Sequence, residues 1–277
     1  MFPQSSGLKS FVLWLVEKHL WIAICAVFAA LSTFCLFQLA INWYLLCFLF
    51  FATIAEYSLN RPTVQRLYAW ALHPLRAPNP VPQDFFTAVS AILSAVFLCF
   101  LPVFSQLFLL HCALIAIAYT LPFPGRKTLR QVPYLKMFLI VYAWVGCTFV
   151  VPLLLAGQQT TIPVGGLLER CLFFTAIALP FDVRDLKHDR YTGLKTLAGL
   201  LGSSSTRYLS LGLLGCCCLL SVLVWPVFTW SLAISYGITA AVVAGVRPGQ
   251  TRFYSNTLVD GMLVLQGALL LFKHYGW

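Results

Sequence analysis

Charged residues are scarce in this chain. Only 9% of its 277 residues are Asp, Glu, Lys or Arg, whereas an ordinary soluble domain carries about 25%. Four segments contain none at all, namely residues 19–55, 85–125, 137–168 and 208–246. One bilayer-spanning helix needs roughly 20 apolar residues, so a segment near twice that length predicts two spans joined by a short turn. This composition excludes an ordinary soluble domain and predicts a multi-spanning helical membrane protein.

The cysteine spacings that hold zinc or build a disulfide framework are also missing. Ten cysteines are present, mostly inside apolar segments and including the run 216–218. They form no CxxC pair and no histidine is interleaved with them. Neither a zinc site nor a disulfide framework is therefore predicted, and the cysteines are interpreted as small packing residues.

Hydropathy divides the chain into one all-α, membrane-embedded domain over residues 1–277. Residues 1–19 predict a short amphipathic helix that lies at the membrane interface and leads into the first span. Nine transmembrane helices are predicted after it, over residues 20–38, 41–59, 84–101, 104–121, 134–155, 163–181, 207–224, 227–245 and 254–272. The long connections 60–83, 122–136 and 182–206 are predicted to be the loops that form a polar site.

The basic residues are concentrated on one side of this arrangement. The formal net charge is +10, and most of the cations lie in the long connections while the short turns carry none. Cations are retained in the cytoplasm, so the amino terminus and the long loops are predicted to be cytoplasmic and the carboxyl terminus to be outside. Topology thus accounts for the positive charge without a nucleic-acid partner. The expected location is a bacterial inner membrane.

Acidic residues are the most informative part of the sequence. Only eight exist, and Asp182, Asp185 and Asp189 fall within eight positions. Separations of three, four and seven place them on one face of a helix, directly after the sixth span. Such carboxylates repel one another unless a cation compensates, and Mg²⁺ binds through one or two carboxylates plus substrate phosphates. The alternative is a solvated loop whose acids pair with the interleaved cations Arg184, Lys187, Arg190 and Lys195.

Residues 181–197, FDVRDLKHDRYTGLKTL, resemble a known motif. They are similar to the second aspartate-rich motif of the UbiA superfamily of intramembrane prenyltransferases, approximately N/D-x-R-D-x-x-x-D-R-x-x-G-x-K-T-L. The nine predicted spans and the position of the motif after the sixth also agree with that superfamily. The resemblance implies a UbiA-like bundle in which Asp182, Asp185 and Asp189 are catalytic and bind Mg²⁺.

The same resemblance implies a reaction. It is the Mg²⁺-dependent transfer of a polyprenyl group from its diphosphate to a lipophilic or aromatic acceptor. Membrane lipids are the expected surroundings, and the sequence identifies no protein partner. Further readings are a UbiA-type terpene cyclase and a non-catalytic isoprenoid-lipid-binding membrane protein. The loop between the fourth and fifth spans also resembles the family. The implied diphosphate-binding residues are Arg130, Lys136, Arg184, Lys195, Lys127 and Tyr119.

The first motif of the superfamily, N-D-x-x-D after the second span, is degenerate here. Asn60 matches its asparagine, but Arg61 stands in the aspartate place and no carboxylate follows before Asp84. Glu56, four residues before Asn60, is a candidate substitute metal ligand. Arg61 could bind phosphate directly, or both residues could only cap the helix and extend toward the membrane surface.

Three further charged residues lie within predicted spans. Asp260 falls about two turns into the ninth span, and an intramembrane carboxylate is a functional hypothesis by default. The alternative is a neutral acid that is hydrogen-bonded to a neighbouring helix. Glu169 and Arg170 lie toward the outer end of the sixth span and are interpreted as structural, with Lys273 or His274 as candidate partners.

Overall fold

A computed structural model describes residues 7–59, 82–120, 128–157, 162–251 and 253–275. These residues form helices and turns, with no β-strand among them. The helices are α1 (Gly7–Glu17), α2 (Leu20–Leu36), α3 (Trp43–Leu59), α4 (Pro82–Cys99), α5 (Val103–Thr120), α6 (Leu135–Leu155), α7 (Val164–Tyr191), α8 (Leu197–Leu201), α9 (Ser203–Val224), α10 (Thr229–Ala244) and α11 (Tyr254–His274).

Each of the nine predicted spans coincides with an apolar helix. Within the described ranges, six helices are long and apolar enough to cross a membrane, or seven when α1 and α2 are taken together as one bent span. The helix α3 and the residues Phe85–Cys99 of α4 are shorter apolar helices. The protein is therefore a multi-pass helical membrane protein, while nine crossings remain a prediction.

The amino-terminal helix α1 (Gly7–Glu17) lies within the predicted segment 1–19. A bend of 77° separates α1 from α2. The residue at the bend, His19, has a left-handed backbone with φ of 61°. Phe11 and Trp14 of α1 stack on each other and are exposed. An apolar face that no other helix covers suits an interfacial position.

Helix α7 is the most buried of the six long spans. It packs against α6 and α9, while α11 packs against α2 and α10, and α3 packs between α2 and α4. The segment predicted as a loop over residues 182–206 is largely helical, because α7 continues to Tyr191 and α8 follows. This continuation carries the three clustered aspartates on a rigid element.

Two prolines inside helices leave carbonyls without their usual partners, because proline has no N–H to donate to the residue four positions earlier. Pro180 of α7 leaves the Ala176 carbonyl free, and the Ser210 hydroxyl of α9 donates to it at 2.5 Å. Pro152 of α6 leaves the Thr148 carbonyl free, and the Thr33 hydroxyl of α2 donates to it at 2.7 Å. Neighbouring helices thus restore the bonds that a lipid environment requires.

A fully buried polar network lies about 20 Å along α7 from the aspartates, by helical rise. Arg170 donates twice to the carboxylate of Glu169, at 2.6 and 2.8 Å, and once to Gln266 Oε1 at 2.6 Å. The Tyr236 hydroxyl donates to Glu169 as well. The expectation of Lys273 or His274 as partners was wrong, because α7 packs beside the middles of α10 and α11 at this level. The structural interpretation of the pair agrees with its burial.

Candidate functional site

The three aspartates lie on the last turns of α7. Asp182 and Asp189 are buried, and Asp185 is half-buried. The helix ends in a hydrogen-bonded turn in which the Leu194 N–H donates to the Asp189 carbonyl at 2.8 Å. Gly193 makes this turn with φ of 71°, a left-handed conformation that glycine adopts without steric cost. The glycine and the aspartates of the motif thus belong to one helix terminus.

Lys136 neutralises the first of these aspartates. Its Nζ lies 2.6 Å from Asp182 Oδ1, and the two side chains are 10% and 1% exposed. Lys136 lies one residue into α6 and Asp182 two residues after the proline of α7. The sequence predicted both residues for the polar site. The structure brings them together as a buried ion pair between two helices.

Arg184 holds the second aspartate in place. Its Nε and Nη2 atoms donate to both oxygens of Asp185, at 2.7 and 2.8 Å, and its Nη1 donates to Asn256 Oδ1 at 2.6 Å. Its guanidinium also lies 5.1 Å from the centre of the Phe181 ring. Asn256 of α11 was not anticipated. An available signal was that a guanidinium has five N–H donors and needs acceptors beyond one carboxylate.

The loop before α6 forms the wall of a cavity next to the aspartates. The Tyr134 N–H donates to the Lys195 carbonyl at 3.1 Å, which ties this loop to the turn after α7. The cavity measures about 230 Å³ and is lined by Thr128, Arg130, Gln131, His188, Asp189, Thr192 and Leu194. An adjoining cavity of about 380 Å³ includes exposed Lys195 and Gly193 in its lining. Arg130 and Asp189 therefore line the same space, while Lys195 lies beside it.

The charged groups of this region interact as one cluster. Arg130 and Lys136 both interact electrostatically with Asp185 and with Asp189. Tyr119 of α5 is within electrostatic range of Arg130, Lys136 and Asp182, and also of Glu56. The cluster thus draws on α3, α5, α6 and α7 and on the loop before α6. The predicted site residues Asn60, Arg61 and Lys127 lie outside the described residues.

Two carboxylate oxygens of the cluster have no hydrogen-bond partner and are therefore candidate ligands for a divalent cation. Asp182 Oδ2 and Asp189 Oδ2 are buried and accept no hydrogen bond. Buried carboxylate oxygens normally have a partner, so both are open to a cation or another donor. In the described part of the chain, no three His, Cys, Asp or Glu side chains converge closely enough to hold a metal by themselves. The arrangement therefore suits Mg²⁺ held by one or two carboxylates together with substrate phosphates.

Several solved structures that resemble this one belong to UbiA homologues and a related synthase. The sequence matches no protein-family model and no curated protein. The structure is similar to that of a UbiA homologue from Archaeoglobus fulgidus bound to GPP and Mg²⁺, with a TM-score of 0.64, 15% identity, and coverage of 94% of this chain and 98% of that one. It is equally similar to the apo structure of a UbiA homologue from Aeropyrum pernix K1, with a TM-score of 0.64, 16% identity, and coverage of 91% and 97%.

A third similar structure is that of a digeranylgeranylglyceryl phosphate synthase. Its TM-score is 0.53, with 17% identity and coverage of 94% of each chain. These likenesses extend over nearly the whole chain. The resemblance of residues 181–197 to the second UbiA motif is independent of them, because it rests on the sequence alone. The protein has the same all-helical membrane fold as these UbiA homologues.

Proposed function

We propose that this protein is an Mg²⁺-dependent prenyltransferase, which transfers a polyprenyl group from its diphosphate to a lipophilic or aromatic acceptor within the membrane. The observation that carries the proposal is the polar cluster at the end of α7. Two buried carboxylates with open oxygens lie among Arg130, Lys136 and Arg184, next to a cavity. Similar structures were solved with GPP or DMAPP together with Mg²⁺, which supports a prenyl diphosphate as the donor.

The residues of the cluster divide into two roles in this proposal. Asp182 and Asp189 would hold Mg²⁺, since each has an open oxygen. Bound there, the ion would neutralise the charge that develops on the leaving diphosphate. Arg130 and Lys136 would bind diphosphate oxygens, as fixed cations do without reorganising. Asp185 would orient Arg184, because both of its carboxylate oxygens accept hydrogen bonds from that guanidinium.

The helix bundle would supply the apolar surroundings that the reaction needs. An allylic carbon that loses diphosphate is electrophilic and reacts with water wherever water is present. The segments that lead away from the cluster into the bundle are apolar, and water exclusion favours capture by the acceptor over hydrolysis. We place the cluster at the cytoplasmic surface of the membrane, on the basis of the cations in the long loops. The membrane that we expect is a bacterial inner membrane.

Diphosphate release tests the proposal. Purified protein is incubated with geranyl, farnesyl and longer prenyl diphosphates, with and without Mg²⁺ and with a membrane extract as a source of acceptors. We expect Mg²⁺-dependent release that Asp182→Asn and Asp189→Asn each reduce at least a hundredfold, since each removes a charge from the cluster. The matched control is Lys187→Gln, which removes an exposed charge from the same helix and should leave the rate unchanged.

The outcome distinguishes the proposed reaction from its rivals. A prenylated acceptor among the lipid products identifies a transferase, whereas release that gives a cyclic hydrocarbon or alcohol without any acceptor identifies a cyclase. Binding of prenyl diphosphate without release, by protein that elutes as a folded species, would refute catalysis and leave an isoprenoid-lipid-binding role.

A further inference from the structure

Asp260 lies inside the bundle, below the polar cluster. It follows a π-helical segment, Tyr254–Val259, at the start of α11. Asn256, which accepts a hydrogen bond from Arg184, is four residues earlier on the same helix. Four residues of helix rise about 6 Å, so Asp260 is about one turn deeper in the bundle than this contact. Single π-helical turns are frequent at functional sites.

The carboxyl group of Asp260 faces neighbouring helices. It interacts electrostatically with Cys25 of α2, Tyr57 of α3 and Arg184 of α7. Among these helices, α2 packs against both α3 and α11. An ionisable side chain turned into the interior of a membrane protein marks a pathway or a binding site more often than a structural contact.

No group in the described residues donates a hydrogen bond to the carboxyl group of Asp260, so the bond to a neighbouring helix that the sequence allowed is not found there. Asp260 is also half-buried, unlike Asp182 and Asp189. Tyr57 is half-buried as well, and its hydroxyl makes no hydrogen bond to any described group. A closely packed interior would satisfy such groups. In the part of the chain that the structure describes, the side chains of Asp260 and Tyr57 thus lie within electrostatic range of each other and have no hydrogen-bond partner.

We propose that Asp260 is an acceptor-binding residue, which accepts a hydrogen bond from a hydroxyl group of the acceptor. This inference rests on the proposed function. A diphosphate bound at Arg184 and the aspartates would leave the first carbons of the prenyl chain at the level of Asp260, where the acceptor must lie to be alkylated. The substrate class is a lipophilic alcohol or phenol.

A matched pair of probes tests this assignment. Binding of 1-naphthol and of its methyl ether, 1-methoxynaphthalene, to the detergent-purified full chain is measured by calorimetry, with protein-free micelles subtracted. The probes differ chiefly in the hydroxyl donor. Wild type should bind naphthol about tenfold more tightly or better, since a hydrogen bond to a carboxyl group is the interaction removed by methylation. Asp260→Leu should bind both probes alike.

Two further variants separate this inference from the function on which it rests. Asp189→Asn should weaken the binding of geranyl diphosphate with Mg²⁺ but keep the preference for naphthol. Asp260→Leu should bind geranyl diphosphate as wild type does but lose the preference for naphthol. If wild type fails to bind geranyl diphosphate yet shows a naphthol preference that depends on Asp260, the prenyltransferase proposal fails and the hydroxyl site stands. Equal binding of both probes by wild type, or an unchanged preference in Asp260→Leu, overturns the hydroxyl site.

If the leucine variant does not fold, the isosteric variant Asp260→Asn tests whether Asp260 binds the hydroxyl group of the acceptor. It keeps the size of the side chain and one acceptor oxygen but replaces the other oxygen with an NH₂ group, which cannot accept a hydrogen bond from the hydroxyl group of the acceptor. We expect the preference for naphthol to fall severalfold, in protein that elutes as wild type does on size exclusion. An Asp260→Asn variant with the full wild-type preference contradicts the assignment.

Discussion

Breaking the ion pair between Lys136 and Asp182 should destabilise the fold strongly. Their charged atoms are 2.6 Å apart and their side chains are 10% and 1% exposed. At this distance and an effective dielectric constant of 20, the Coulomb attraction is about 6 kcal/mol. Desolvation offsets much of it in the intact pair, but removing one partner leaves the other buried and unpaired. We therefore expect Lys136→Met to lower the free energy of unfolding by about 4 kcal/mol.

A double-mutant cycle checks both the size and the origin of this loss. Unfolding of Lys136→Met, Asp182→Asn and the double variant is followed by tryptophan fluorescence in mixed micelles of dodecyl maltoside and SDS. The double variant should lose clearly less than the sum of the single variants, because neither charge is then left alone. The control Lys187→Met removes an exposed lysine and should change stability by less than about 0.5 kcal/mol. Single losses below about 1 kcal/mol, or strictly additive losses, would refute the reasoning.

Two further predictions concern helix contacts and are measured in the same unfolding assay. At Gly267, an added Cβ would lie 2.6 Å from the backbone oxygen of Phe28, so Gly267→Ala should cost about 1–3 kcal/mol by forcing α2 and α11 apart. Gly215→Ala, where nothing lies within 4 Å, should instead stabilise the protein slightly; a similar loss at both glycines would contradict the packing argument. Ser210→Ala should cost about 1–3 kcal/mol by leaving a buried carbonyl unsatisfied. In the Pro180→Ala background, the N–H of residue 180 can donate to the Ala176 carbonyl, so the loss of stability caused by Ser210→Ala should be smaller. An equal loss in both backgrounds would contradict the role given to the Ser210 hydroxyl.

The helical segments were readable from sequence because lipid imposes one strong rule. A stretch without charges and of sufficient length must form a helix there, since no water is present to satisfy the backbone. All nine predicted segments accordingly coincide with helices. The clustering of Asp182, Asp185 and Asp189 on one face followed from their spacing, because the helical period is fixed.

Side-chain partners between helices could not be read in this way. Helical period tells which residues share a face but not which helix that face meets, so the pairing of Lys136 with Asp182 and of Arg184 with Asn256 required the packing of α6, α7 and α11. The network of Glu169 shows the same limit. Its partners on α10 and α11 lie far from it in sequence, and no local pattern indicates that these helices lie beside α7.

The charge balance of the polar cluster has a consequence for the order in which ligands bind. Three carboxylates, on Asp182, Asp185 and Asp189, face three cations, on Arg130, Lys136 and Arg184. These six groups sum to zero, and counting Glu56 of α3 as well gives one net negative charge. A multiply charged diphosphate that entered alone would leave the cluster with a net negative charge in a region of low dielectric constant, and a divalent cation that entered alone would leave a net positive one. Donor and cation should therefore bind as linked ligands, each raising the affinity of the site for the other.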